Sequence, residues 1–416
     1  MTVTEDNDAV TVQRLLDGLV DHLLTEHALR PGRIEAAMRS VPRHTFVPGV
    51  PLSDAYADDT VRTKHDDTGV AISAASQPRI VAMMLDMLGV EPGHRVLEAG
   101  AGTGYNAGLM GWLAGEHGLV VSIDVDDDLV TEARAGLAAA GIRNVQVVLG
   151  DGADGYPAEA PYDRVIATVG VWDMPPAWLA QLASHGRLVA PLRIRGSAAR
   201  AIAFEHDGQR WRSTRSELCG FMPLRGAMAD PRRMIDLAPG GSVRLEIHRD
   251  QTIDPAALTG VLGQPAVKVW TGVRLGGMES IEMLWLWLAC TQPNAISAMP
   301  IQAEALDSGL VQLPSRTWRS MATTDKGSLA YLTLRPIESE PAESGGTGRP
   351  HEIGVIGHGP AGDELAHRVA GEIAAWDRGP RGRAVEFVLQ PAGTEPRLDG
   401  QFLITTPHNQ LAVSWL

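Results

Sequence analysis

The sequence predicts an α/β chain: a Rossmann-like, doubly wound parallel sheet followed by a C-terminal α+β extension. Three observations lead to this. Between about residues 77 and 195, short apolar runs alternate with stretches of helical period, the pattern of parallel strands covered by helices on both faces. A glycine-rich turn, "VLEAGAGTGYNAG", joins the first of those runs to the next helix. Beyond about residue 200 the runs become short and alternating, and helical stretches become rare.

Taken in order, Leu15, Leu16, Leu19, Val20, Leu23 and Leu24 recur at helical spacing, so an amphipathic helix covers about 10–24. Its apolar face is read as core packing in preference to a peptide-docking face. A second helix covers about 33–40, and "VPRHTFVPG" then breaks the pattern with Pro42 and Pro48. Residues 54–69 are polar and read as a loop lying over the core. A helix over about 78–88 precedes the strand "RVLEAG". Then come the glycine turn, a helix from about Asn106, the strand "LVVSID", a helix over about 129–140 and the strand "VQVVLGD". "YDRVIATVG", the helix "PPAWLAQL" and the strand "GRLVAPL" complete the core. "RAIAFEHDGQRWRSTRSEL" alternates about an Asp-Gly turn and reads as a hairpin. The apolar helix "IEMLWLWLAC" is expected to be buried core. "IESEPAESGGTGRPHE" is a linker by composition. These readings divide the chain into N-terminal helices and a cover segment (1–75), a core (76–240), a β-rich accessory domain (241–336), a linker (337–352) and a C-terminal α/β segment (353–416).

The formal net charge of −14 gives no footing for a nucleic-acid or anionic-membrane partner. No apolar run reaches membrane-spanning length. The N-terminus has no basic, then apolar, signal pattern. The two cysteines, Cys219 and Cys290, lie far apart and make no metal-ligand spacing, consistent with a reducing cytoplasm. Six of the ten tryptophans lie beyond residue 242, so the second half must bury or present large aromatic surface.

The chemistry centres on the glycine turn. Gly100, Gly102 and Gly104 follow a buried strand and open a helix, which lets the backbone turn sharply and approach a ligand closely. Asp124 ends the next strand, where an acid accepts hydrogen bonds from ribose hydroxyls. Two cofactors compete for this arrangement. Gly102-Thr-Gly104-x-x-Ala107 fits a loose dinucleotide fingerprint, so a nicotinamide enzyme stays open. Glu98, however, stands at the strand tip before the glycines. A carboxylate there would repel a pyrophosphate and suits the amino group and sulfonium of S-adenosyl-L-methionine. The order Glu-x-Gly-x-Gly-x-Gly therefore points to a class I S-adenosylmethionine-dependent methyltransferase. "GDGADGY" adds Asp151 and Gly152 beside the expected adenine position. A second glycine pattern, "VIGHGPAG", is read as a helix-start turn, because the chain after it leaves no room for a second nucleotide fold. "DVDDD" at 124–128 resembles a metal-binding run, but Asp126 to Asp128 are read as the first turn of the following helix, where negative charge complements the dipole, and no metal is expected.

From about Leu15 to Arg225 the sequence resembles the protein-L-isoaspartate O-methyltransferase family. The resemblance rests on "VPRHTFVP", "AYADDTV", "SQPRIVAMML", the glycine turn, "GDGADGYPAEAPYDRVIATVG" and "LVAPL", in the family's order. It implies S-adenosyl-L-methionine as methyl donor and a peptide or protein carboxylate, on aspartate or isoaspartate, as acceptor. It also implies an active-site serine from a Thr-Ile-Ser-x-Pro segment. Ser76 of Ser76-Gln77-Pro78 takes that place, although Ala74 and Ala75 replace Thr-Ile and "AIS" makes Ser73 a rival. The long extension and "CGFMPLRGAM" resemble a branch that methylates an aspartate of a ribosomally made precursor peptide, whose ester closes to an aspartimide.

A carboxylate is ionised at neutral pH, so methyl transfer needs alignment and exclusion of water and no general base. A serine hydroxyl orients the acceptor by donating to one carboxylate oxygen. His65 and Arg79 are candidates for anion binding, but more simply surface groups. Three functions remain open on these residues: methylation of one aspartate in a dedicated peptide, repair of isoaspartyl damage, and a cofactor-binding scaffold without catalysis.

Overall fold

The computed structural model describes residues 3–67, 69–277, 279–313, 319–337, 349–395 and 397–416, with side chains from residue 10 onward. Most of the compositional linker therefore lies outside the described residues.

The N-terminal part holds α1 (Val3–Thr25), α2 (Arg33–Ser40), the short α3 (Leu52–Ala55) and a hairpin of β1 (Val61–His65) and β2 (Ala71–Ala75). Leu16, Leu19, Val20 and Leu23 of α1 are buried, so its apolar face is core. Then α4 (Pro78–Leu88), β3 (Arg95–Ala99), α5 (Tyr105–Ala114), β4 (Leu119–Asp124), α6 (Asp127–Ala139), β5 (Val145–Leu149), β6 (Tyr162–Ala167), α7 (Pro176–Gln181) and β7 (Leu182–Arg195) follow. β5, β4, β3, β6 and β7 lie side by side and parallel. β8 (Ala198–His206) and β9 (Trp211–Leu218) extend this sheet antiparallel about the Asp207-Gly208 turn.

Successive strand residues feed opposite faces, as the pleat requires. Val96, Val120, Ile166 and Val189 pack with helices α1, α2, α4, α5 and α6. Their neighbours Leu97, Val121, Val165 and Leu188 pack on the other side with Trp178 of α7. This second face is not completed by the core. There α9 (Glu282–Thr291) of the extension packs on β7 and β8, and α11 (Gly362–Arg378) packs in turn on α9.

The extension opens with a small sheet of β10 (Arg233–Asp236) and β11 (Arg244–Ile247), then α8 (Pro255–Leu258). A five-stranded sheet in the order β12-β16-β15-β14-β13 follows, built from β12 (Ala266–Leu275), β13 (Ser297–Pro300), β14 (Arg319–Asp325), β15 (Ser328–Pro336) and β16 (His351–His358). α10 (Ala303–Asp307) lies between β13 and β14. β17 (Val385–Pro391), β18 (Phe402–Thr405) and β19 (Asn409–Trp415) leave that sheet and join the core, giving ten strands in the order β18-β19-β17-β9-β8-β7-β6-β3-β4-β5. The segments 241–336 and 353–416 thus interleave: β16 pairs with β15 and β12, and β17 pairs with β9. The enclosed carboxylate of Asp173 fixes the last turn. It accepts from Thr406, from the His408 N–H at 3.0 Å and from Asn409 Nδ2 at 2.6 Å.

The second glycine pattern is a packing device. A Cβ on Gly357 would come within 2.0 Å of the Gly362 carbonyl oxygen, so these glycines let β16 and α11 touch. Among the described residues no helix is long and apolar enough to cross a membrane.

Candidate active site

A cavity of ≈ 510 Å³ lies at the carboxyl ends of β3, β4 and β6, where ligands bind in open α/β sheets. The glycine turn is shaped by contacts that exclude side chains. Gly100 has φ 99°, and a Cβ there would sit 2.7 Å from Thr168 Oγ1; Gly104 has φ 84° and abuts Ala133. Gly102, at φ 50°, lines the cavity, with nothing nearer than 3.8 Å to a built Cβ. The turn therefore offers open backbone to a ligand.

Asp124 lies at the cavity wall at the end of β4. It accepts the Gly102 N–H at 2.9 Å and has Arg225 3.7 Å away. With the Asp126 N–H at 3.3 Å on its other oxygen, the carboxylate accepts two backbone N–H groups and has lone pairs left for a ligand hydroxyl.

Glu98 is placed differently from the sequence-based expectation. Its carboxylate is fully enclosed beneath the turn, accepting from Asn106 Nδ2 at 2.7 Å and Ser122 Oγ at 2.5 Å. Burial pushes its pKa up to about 7, against the hydrogen bonds from Ser122 and Asn106. Glu98 itself does not line the cavity; Asn106 does, and Glu98 holds Asn106.

Gly152 lines the cavity, but Asp151 does not. Its carboxylate accepts the N–H groups of Ala153 at 2.9 Å and Ala227 at 2.6 Å. It anchors the segment 218–228, which forms one wall and is also tied by Gly170 N–H to the Met222 carbonyl at 2.7 Å.

Both serines line the cavity. Ser73 is buried in β2, and its hydroxyl accepts from Thr63 Oγ1 at 3.1 Å. Ser76 follows the strand, half-buried, with no hydrogen-bond partner for its hydroxyl among the described residues. The chain around it is braced. Arg43 Nη2 donates to the Ala75 carbonyl at 3.3 Å, and Gln77 Nε2 donates to the Asp58 carbonyl at 2.9 Å. Arg79 is occupied in an ion pair with Asp58, and His65 is exposed outside the cavity lining.

The acids of "DVDDD" are engaged as well. α6 starts at Asp127, with Asp126 as its N-cap residue. Asp126 pairs with Arg225 at 2.7 Å and Lys64 at 3.0 Å, and Asp128 pairs with Lys64 at 2.6 Å.

Three wall residues were not picked out from the sequence. Arg225 is visible there only within "PLRGAM". Trp285 belongs to a helix read as uniform core, although it lines the cavity half-buried. Arg319 has no local signal at all. The last two come from the extension.

A doubly wound sheet, a bare glycine turn and an acid at the second strand tip define a class I S-adenosylmethionine-dependent methyltransferase. The model of the protein-L-isoaspartate(D-aspartate) O-methyltransferase family matches residues 14–229. Protein-L-isoaspartate O-methyltransferase of Methanoregula boonei is 42 % identical over 209 residues, 50 % of this chain and 91 % of the relative. That of Methanopyrus kandleri is 36 % identical over 220 residues, 53 % of this chain and 95 % of the relative. Among solved structures, a protein-L-isoaspartate O-methyltransferase aligns at 21 % identity with a TM-score of 0.48, covering 89 % of this chain and 95 % of that one. The chain belongs to the protein-L-isoaspartate(D-aspartate) O-methyltransferase family, and S-adenosyl-L-methionine is its methyl donor.

Proposed function

We propose that the enzyme methylates the side-chain carboxylate of an aspartate in a dedicated peptide, and that the ester then closes to an aspartimide. The observation that carries this reading is the shared wall: Trp285 and Arg319 of the extension line the same cavity as the glycine turn and Ser76. An acceptor in that cavity meets residues outside the part of the chain that the family model matches. Repair of isoaspartyl sites is the second reading, favoured by the identity of the core to relatives bearing that name.

The donor supplies an electrophilic methyl group. Asp124 takes the ribose hydroxyls, Gly152 backs the adenine, and Asp151 holds the wall segment in place. Asn106, fixed by Glu98, and the open backbone at Gly102 serve the methionine end. Ser76 is the acceptor-orienting hydroxyl, donating to one carboxylate oxygen so that the other faces the methyl group. Ser73, already bonded to Thr63, supports the strand. The new C–O bond forms as the methyl–sulfur bond breaks, and no proton has to move. In the peptide, the next backbone nitrogen then attacks the ester carbonyl and methanol leaves. That intramolecular step benefits from proximity and needs no enzyme group.

Replacing Trp285 by Ala tests the shared wall. KM for the peptide should rise several-fold while the dissociation constant of S-adenosyl-L-methionine, measured by calorimetry, stays put. Unchanged peptide kinetics would remove the extension from the acceptor site.

A further inference from the structure

Behind the Gly220–Pro223 segment lies a second chamber of ≈ 350 Å³. It shares that segment, Ser197, Ala199 and Arg319 with the main cavity. Its other charges are matched. Arg193 pairs with Asp230 at 2.6 Å and Asp250 at 2.5 Å, and Arg232 faces Glu246 at 3.3 Å. Arg249 lies 3.3 Å from Asp230 and covers the Trp172 ring. His248 is hydrogen-bonded through Nε2 to Ser197 at 3.0 Å, and burial keeps its pKa below the ordinary value. Arg319 is the exception. It stands exposed where the chambers meet, and its one side-chain hydrogen bond among the described residues goes to the Met321 sulfur at 4.0 Å. A guanidinium with no carboxylate beside it is a fixed positive charge whose planar fork matches a carboxylate.

We propose that Arg319 is the subsite for a second carboxylate of the acceptor peptide, so that the enzyme prefers an acidic residue beside the aspartate it methylates. This rests on the proposed methylation of a peptide aspartate. It adds a specificity that the core alone does not carry, since β14 lies outside the family match.

The test uses the full chain and two synthetic peptides, each with one Asp-Gly acceptor, flanked by glutamates in one and by glutamines in the other. The wild-type enzyme should show a KM roughly tenfold lower for the glutamate peptide at similar kcat, the size of one charge-assisted hydrogen bond. Arg319→Gln should erase that preference without changing the affinity for S-adenosyl-L-methionine, and Arg319→Glu should reverse it in favour of the glutamine peptide. Equal KM values with the wild-type enzyme overturn the subsite and leave methyl transfer standing; this comparison needs no variant to fold. A preference that survives in Arg319→Gln overturns it too. Methylation of neither peptide by enzyme that binds the donor overturns the underlying reading, and the subsite with it.

Discussion

Lys64, on the β1–β2 hairpin, and Asp126, at the N-cap of α6, form a 3.0 Å ion pair beside the cavity. Arg225 reaches the same carboxylate at 2.7 Å from the segment that forms the opposite wall. One acid thus ties the β1–β2 hairpin to the segment that carries Arg225. Hydrogen bonds from Arg225, against partial burial and with help from Lys64, hold Asp126 below the ordinary carboxylate range. A depressed pKa contributes stability above the unfolded value that is lost as pH falls through the folded one.

Removing one clasp should therefore be mild and salt-sensitive. Lys64→Ala is expected to weaken donor binding by about two- to fivefold at low salt, the range of partly exposed ion pairs. Calorimetry at low and high ionic strength checks this: the gap between wild type and variant should shrink as salt screens the pair.

Asp124→Ala should weaken donor binding by roughly ten- to a hundredfold, the loss of a charge-assisted hydrogen bond. The variant also leaves the Gly102 N–H without its partner. Calorimetry decides, and unchanged affinity would move the ribose site elsewhere.

Ser76→Ala should lower kcat strongly while leaving donor affinity nearly intact, because the proposed role of the hydroxyl is to orient the acceptor. Ser73→Ala should be milder in kcat, since its hydroxyl is bonded to Thr63. Steady-state kinetics of both variants on one peptide separate them; the reverse order would exchange their roles.

Glu98 makes a prediction about pH and stability. Folded Glu98 keeps its proton up to about pH 7, against an ordinary 4.5. Folding then takes up a proton between those values, so this group lowers stability as pH rises through that window. The penalty above pH 7 is on the order of 3 kcal/mol. Glu98→Gln cannot ionise and should gain stability relative to wild type between pH 5 and 8 in urea unfolding. An equal difference at both pH values would mean that Glu98 is ionised throughout.

Much of this was legible in the sequence. The parallel core follows from period and length, because each strand–helix unit signals itself locally. Gly100, Gly102, Asp124 and the two serines stand out in the sequence for the same reason, and all line the cavity. Other features were not legible. The pairing of β17 with β9 joins Leu389 to Trp211, and no local pattern encodes a contact so distant in sequence. The extension therefore read as an appendage. In the fold its helix α9 packs on β7 and β8 of the core sheet and its last strands extend that sheet. A chain cut near Gly240 would bare the edge of β9 and the face of β7 and β8 under α9, so truncation cannot isolate the role of the extension. The enclosure of Glu98 was not legible either, because no local pattern shows that Ser122 and Asn106 close over it.

The most direct measurement is a mass-spectrometric time course. Full-length enzyme and S-adenosyl-L-methionine are incubated with a peptide containing one Asp-Gly, and in parallel with its isoaspartyl isomer. The predicted result is a transient methyl ester on the aspartyl peptide. A species lighter than the starting peptide by one water should follow, and hydrazine should capture it as an adduct. Turnover confined to the isoaspartyl peptide, with the aspartyl peptide untouched, would contradict the proposal and establish the repair reading.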